Sequence, residues 1–325
     1  MSRAAGEGAS GVLPVEKGPG VTSFQVVALA RRLLRAPKVG HGGTLDPDAT
    51  GVLPLLVGEA TKLMPYLSDQ DKEYLAEVRL GVVTDTQDLS GAVLRTAPVL
   101  ELGEGQVTAV LERHVGDIEQ TPPMYSALHH EGRRLYEIAR EGGEVERRPR
   151  RVRVHAIALE RLAPPDLTLR VRCGKGTYIR ALAASIGEAL GPGAALARLV
   201  RTRVGPFALA DCVPWTTLTE ARDGAALRAR IVPPDAALPD LPAIELDATG
   251  TRAFSHGQLA SASGSDGLAR VYGASGTFLG IGARRDGAVR ADRLLHLDRS
   301  ADARPDRSPD PPRHATPPRT RRRPA

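Results

Sequence analysis

The sequence predicts an α/β (α+β) chain, and three stretches carry that prediction. KEYLAEVRL, residues 72–80, places Tyr74, Ala76, Val78 and Leu80 on one side and Glu73, Leu75, Glu77 and Arg79 on the other, the period of a half-buried strand. Ile179, Leu182, Ala183, Ile186 and Leu190 recur at helical spacing behind GKGTY. From about Ala243 to Asp298 the pattern becomes LARVYG, TFLGIGAR and AVRADRLLHL, separated by SGSDG, ASG and RDG. That is a small β domain of roughly 55–60 residues.

Composition bounds the chemistry. With 325 residues, 42% hydrophobic and 25% charged, the chain reads as a globular protein of roughly two domains. The only cysteines, Cys173 and Cys212, belong to no CxxC or Cys/His cluster, which excludes a disulfide scaffold and structural zinc and fits a cytoplasmic setting. MSRAAGEGAS lacks a signal-peptide core, and no run of about 18 apolar residues suggests a membrane span. Net charge is +6, which suits a polyanionic partner. Yet seven arginines and three aspartates beyond Ser300 supply +4 of it, so a nucleic-acid surface on the folded part is a local patch.

In order along the chain, Val12–Glu16 reads as a strand. Thr22 or Ser23 caps a helix running to about Leu34, with Phe24, Val27, Leu29 and Leu33 on its buried face. Lys38–Thr61, KVGHGGTLDPDATGVLPLLVGEAT, is a loop shaped by Gly40, Gly42, Gly43 and Pro47, then an apolar strand from Val52 to Val57. A short helix is expected over Thr61–Leu67. After residues 72–80, GVVTDTQDLSG reads as a surface loop, Glu104–His114 as a helix, TPPMYSA as extended and Gly132–Glu141 as a helix. Arg147, Arg148, Arg150, Arg151 and Arg153 are either a solvated strand edge or a phosphate-contacting patch. Residues 152–160 and 167–173 form a hairpin. After the helix at 179–190, a strand spans about Arg198–Val204, Trp215–Arg230 is helical, and VPPDAALPDLP is a Pro-rich linker.

The Lys38–Thr61 loop concentrates His, Thr and two carboxylates on a rigid support, although Asp, Thr, Gly and Pro are also the ordinary turn residues. No HExxH or nucleophile elbow is present, and GKGTY lacks P-loop spacing. Asp46 and Asp48 are too close in sequence to assign as an acid/base pair without geometry. A single carboxylate nucleophile needs a cation beside it, and Arg180 is a candidate.

At this point the residues resemble the TruB-type bacterial tRNA pseudouridine synthases. GHGGTLDPDATGVLPLLVGEATKL, KEYLAEVRLGVVTDTQD, QTPPMYSALHHEGRRLYEIAREG, GKGTYIRALAASIGEALG and LARLVRTRVGPF are similar to the family's blocks, and the likeness runs from about Gly11 to Leu297. It implies a pseudouridine synthase domain at residues 9–235, with a mixed, mostly antiparallel sheet flanked by helices. Residues 240–298 resemble a PUA domain, a small β-barrel-like RNA-binding module. Residues 1–8 and the Arg/Pro-rich 299–325 are expected to be disordered.

By this resemblance Asp46 is the catalytic nucleophile and Arg180 its ion-pair partner. Tyr74 matches the tyrosine that stacks on the base and serves proton transfer; Tyr178 lines the same pocket; His41 fills the gap left by the flipped uridine; Leu199 lines the pocket. The implied substrate is the T-loop uridine of tRNA, position 55, handled by base flipping. No metal, organic cofactor or obligatory protein partner is implied, and the protein is expected to act as a cytoplasmic monomer. Family members acting on another RNA, and an RNA-binding or tRNA-folding factor, are the rival readings. The chain departs from the family near its amino end, where EKGPGVTSFQVV stands for DKPxGxTSHxVV. That departure puts in doubt any role for Lys17 and Phe24.

Overall fold

Gly11–Lys17 (β1) is an almost wholly buried strand, and the helix after it, Ser23–Leu34 (α1), is closed by a capping box. The Thr22 hydroxyl accepts from the Gln25 amide while Gln25 Oε1 accepts from the Thr22 amide. The buried face of α1 is Val26, Val27, Ala30 and Leu34, whereas Phe24 is 75% exposed. Ser23 sets that rotation, because its buried hydroxyl bonds both backbone groups of Leu45. In this computed structural model residues 10–126, 128–130 and 132–297 are described. The expected disordered ends, residues 1–8 and 299–325, lie outside the described residues.

Val39–His41 (β2) and Thr50–Val57 (β3) flank the central loop. A 3-10 turn and Met64–Asp69 (α2) lead to Lys72–Leu80 (β4), whose residues alternate between buried and half-buried, with Tyr74 inward as expected. The stretch expected as a surface loop instead holds Val82–Thr84 (β5), paired with Val93–Thr96 (β6). Asp88 Oδ1 ties the turn between them by accepting from the Thr86 and Ser90 hydroxyls. Glu104–Glu112 (α3) and Gly116–Gln120 (β7) follow.

The helix expected over Gly132–Glu141 is shorter. His129–His130 (β8) and Arg133–Arg134 (β9) pair first, and only Leu135–Arg140 (α4) is helical, entered where Glu137 accepts the Arg134 amide. Arg150–Ala163 (β10) and Asp166–Cys173 (β11) form the expected hairpin. Ile179–Leu190 (α5) buries the expected face. Ala194–Val204 (β12) starts before Arg198, because a bulge between Leu196 and Arg198 hides its period.

These strands form one sheet in the order β1-β3-β12-β4-β11-β10-β7, with β2 on β3 and Phe207–Ala208 (β13) on β12. Only β3 and β12 run parallel; the other pairs are antiparallel. The arginine run enters β10 beside β7 rather than on a free edge.

The expected helix from Trp215 to Arg230 is two pieces, Trp215–Glu220 (α6) and Ala225–Arg228 (α7). Gly224 separates them, and a Cβ there would lie 2.3 Å from the Leu33 carbonyl oxygen. The Pro-rich stretch is no free linker. Val232 exchanges backbone bonds with Val12, and Ala237 and Leu238 are buried.

The last segment contains Ala243–Glu245 (β14), Ala248–Ser255 (α8), Ala260–Ser261 (β15), Gly267–Tyr272 (β16), Phe278–Arg285 (β17) and Ala288–Leu294 (β18). Its sheet runs β14-β16-β17-β18-β15. The helix α8 is an addition to the expected all-β pattern; Asp247 caps it and Phe254 packs with Ile244, Val271 and Val289 of the sheet. Phe278, Ile281 and Leu295 join Leu63, Leu67 and Phe207 in one apolar cluster, docking this sheet on the larger one. Lys62 Nζ donates to the Leu294 carbonyl at 2.9 Å and the His296 amide to Glu59 at 2.9 Å.

Candidate active site

The segment between β2 and β3 has no ladder of its own, so its backbone groups need partners from elsewhere. Lys17, fully buried at the end of β1, donates from Nζ to the carbonyls of Gly18 at 2.9 Å, Pro47 at 2.7 Å and Ala49 at 2.6 Å. Arg201 of β12, 1% exposed, donates to Val52 O at 2.8 Å, Gly43 O at 3.1 Å and Thr44 O at 3.3 Å. The Leu45 amide donates to Ser23 Oγ at 2.9 Å. Two buried cations satisfied by carbonyl dipoles therefore clamp the loop on both sides of Asp46.

Asp46 leans out of this clamp with its side chain 46% exposed, and its Oδ2 stands 2.9 Å from Arg180 Nε. Arg180 lies in the first turn of α5 and is 5% exposed. It also donates to Thr86 O at 2.8 Å and Tyr125 O at 2.7 Å, and Asp88 Oδ2 lies 3.6 Å from its Nη1. Gln120 holds the start of α5: its Oε1 accepts from the Tyr178 amide at 3.0 Å. A planar guanidinium tied by both terminal nitrogens to backbone carbonyls cannot swing freely, so it presents its Nε edge to the carboxylate.

Tyr74 faces Arg201 across the β4–β12 ladder, and Leu199 faces Ala76 two positions earlier. Tyr74 and Leu199 share an apolar cluster with Leu45 and Ala49, which border Asp46. Burial pushes the Tyr74 phenol up, and the Arg201 cation partly offsets it. Burial likewise raises Tyr178. His41 is lowered by burial and then by Arg201, and its Nδ1 accepts the Gly43 amide at 3.3 Å, so its imidazole is neutral at pH 7. Burial pulls Lys17 down to about 8, against the pull of Asp48 and Asp46. Asp48 is exposed and makes no hydrogen bond or ion pair among the described residues.

The comparisons with known proteins decide the family. Residues 31–179 match the TruB family pseudouridylate synthase N-terminal domain, 180–239 the tRNA pseudouridylate synthase B C-terminal domain, and 242–295 the pseudouridine synthase II TruB C-terminal segment. The tRNA pseudouridine synthase B of Dechloromonas aromatica is 50% identical over 273 residues, 84% of this chain and 90% of that protein. The chain belongs to the TruB family. Its Chromohalobacter salexigens relative, also a tRNA pseudouridine synthase B, is 46% identical over 88% of this chain and 94% of its own length. Among solved structures, a Cbf5-Nop10-Gar1 complex superposes with TM-score 0.68 at 27% identity, covering 87% of this chain and 84% of that one. An H/ACA RNP bound to a substrate RNA gives TM-score 0.66 at 25% identity, covering 88% and 85%.

Against the TruB-family pattern, the amino-end departure has a physical reason. A Cβ at Gly18, where the pattern has proline, would lie 2.3 Å from the Trp215 ring, so the indole occupies that space. Lys17, doubted from the sequence, keeps its anchoring contacts. Arg201 and Asp88 were not singled out from the sequence. Arg201 had a signal: it sits two residues after Leu199, in phase with the inward face of a strand. Asp88 had none beyond being one of several polar loop residues.

Proposed function

We propose that this chain isomerises a uridine of tRNA to pseudouridine, at the T-loop position conventionally numbered 55, with Asp46 as nucleophile. The observation that carries this reading is the half-exposed Asp46 carboxylate held 2.9 Å from the buried, immobilised Arg180. Attack on the uridine by the Asp46 carboxylate lets the glycosidic C–N bond break and the base rotate; a C–C bond then forms through C5 and the bond to Asp46 breaks, freeing the carboxylate. C5 gives up its hydrogen and N1 ends protonated, so the balance needs no oxidant and no cofactor. Tyr74 is the surface on which the base stacks and, as a neutral phenol, a group able to relay the C5 proton. Extruding the base costs a few kcal/mol, which stacking and the neutral His41 ring filling the vacated place offset. Tyr178 and Leu199 line the pocket.

The same reading makes residues 240–298 a PUA-type RNA-binding module and the protein a monomer that works in the cytoplasm without a partner. No helix among the described residues is long and apolar enough to cross a membrane. The test is to incubate the protein with an unmodified tRNA transcript and map pseudouridine, beside Asp46→Asn. Product at position 55 from wild type alone is expected. Tight tRNA binding with no product overturns the enzymatic reading; full activity in Asp46→Asn overturns only the nucleophile.

A further inference from the structure

From Lys17 to Leu45 the chain holds no carboxylate, while Lys17, Arg31, Arg32, Arg35 and Lys38 are all cationic. Four of these are at the surface. Arg31, Arg32, Arg35 and Lys38 are exposed and form no ion pair among the described residues. The run at 147–153 is partly paired: Arg153 lies 3.1 Å from Asp117 and Arg147 lies 3.6 Å from Glu144, while Arg148, Arg150 and Arg151 are exposed and form no ion pair among the described residues. It also lies at the β7 end of the sheet, whereas α1 packs on β1 and β3 at the opposite end.

The exposed face of α1 begins with an aromatic ring. Phe24 is 75% exposed, Phe24, Ala28 and Arg31 follow helical spacing along one stripe, and Arg35 is the C-cap residue just beyond it. The ring stands at the end nearest the site, since the preceding Ser23 bonds both backbone groups of Leu45, the neighbour of Asp46. Arg35 lies 11 residues further on, about 16 Å at 1.5 Å per residue. A flat ring at the rim followed by unpaired arginines is the arrangement that binds a nucleic acid by stacking and charge.

We infer that the outer face of α1 is an RNA contact of this protein: Phe24 stacks on a nucleobase flanking the target uridine, and Arg31, Arg32 and Arg35 follow the phosphates leading away from it. This inference rests on the proposed action on RNA. It gives Phe24, which replaces the histidine of the family pattern, a function that burial does not supply.

The experiment uses the full chain and unmodified tRNA transcript, with Kd measured over a salt series and kcat and KM over tRNA concentration. Phe24→Ala is expected to raise Kd and KM about tenfold and leave kcat unchanged. Phe24→Trp keeps a flat ring and holds the wild-type KM. Replacing Arg31, Arg32 and Arg35 together by Gln lowers the slope of log K against log salt by about two. Wild-type Kd in Phe24→Ala, an equal rise of KM in both Phe24 variants, or an unchanged salt slope in the triple variant overturns the inference. So does lost affinity of the triple variant for anionic lipid vesicles with tRNA affinity intact. If the wild type binds tRNA through this stripe yet forms no pseudouridine, the functional reading falls and the stripe stands.

Discussion

Arg180 and Asp46 make an asymmetric pair: their side chains meet at 2.9 Å, the arginine 5% exposed and the aspartate 46%. The cation is part of the scaffold and the anion is offered to the solvent side, where a substrate arrives. The arginine's Nη1 and Nη2 donate to the Thr86 and Tyr125 carbonyls, and Asp46 at 2.9 Å and Asp88 at 3.6 Å share its charge.

That asymmetry predicts the outcome of two substitutions. Arg180→Gln removes the charge that orients Asp46 and lowers kcat by at least about 100-fold. Arg180→Lys does not restore it, because a point charge cannot reach the carboxylate and both carbonyls together. Single-turnover rates check this, with thermal melts to confirm folding. Near-wild-type kcat in Arg180→Lys would show that charge alone suffices.

Lys17 predicts a pH limb. Its folded pKa of about 8 lies below the ordinary lysine value of 10.5, so between those values the unfolded chain holds the extra proton and this residue's contribution to stability rises with pH. The loop responds oppositely. A neutral amine has two donors for three carbonyls, so the anchoring of Pro47 and Ala49 loosens and kcat declines above about pH 8. The limb should vanish in Lys17→Met, itself destabilised by about 2 kcal/mol from orphaned carbonyls. Burial pulls Lys72 to about 8 as well, so a limb lost in Lys72→Met instead would reassign it.

Tyr74→Phe separates stacking from proton transfer. The ring remains in its buried place, so Kd for tRNA holds while kcat falls by about 100-fold. An unaltered kcat would leave Tyr74 a stacking surface only.

Gly51 and Gly20 both have positive φ, +103° and +74°, yet their alanine variants should differ. A Cβ at Gly51 would lie 2.2 Å from the Arg201 carbonyl oxygen, where β3 meets β12, whereas at Gly20 no atom lies within 4 Å. Gly51→Ala is expected to cost more than about 3 kcal/mol and Gly20→Ala about 1 kcal/mol. Denaturant unfolding measures both; equal costs would mean that backbone strain, not the close approach, governs the site.

The periodic elements are legible in the sequence. Period-two alternation marks Lys72–Leu80, helical spacing marks Ile179–Leu190, and the β10–β11 hairpin follows its turn signal. Elements whose period is broken were misread: β12 across its bulge, α6 and α7 across Gly224, and α8, whose eight residues are too few to show a face.

Asp46, Tyr74 and Arg180, proposed to carry the chemistry, are legible in the sequence because they lie in long ordered blocks of specific spelling. The tertiary structure decided what holds them. Lys17, Ser23 and Arg201 come from three distant strands or helices and anchor the Asp46 loop through its backbone. Backbone carbonyls are the same in every residue, so no pattern of side chains announces which of them a buried cation will meet. Only the crossing of β1, α1 and β12 around that loop brings them together.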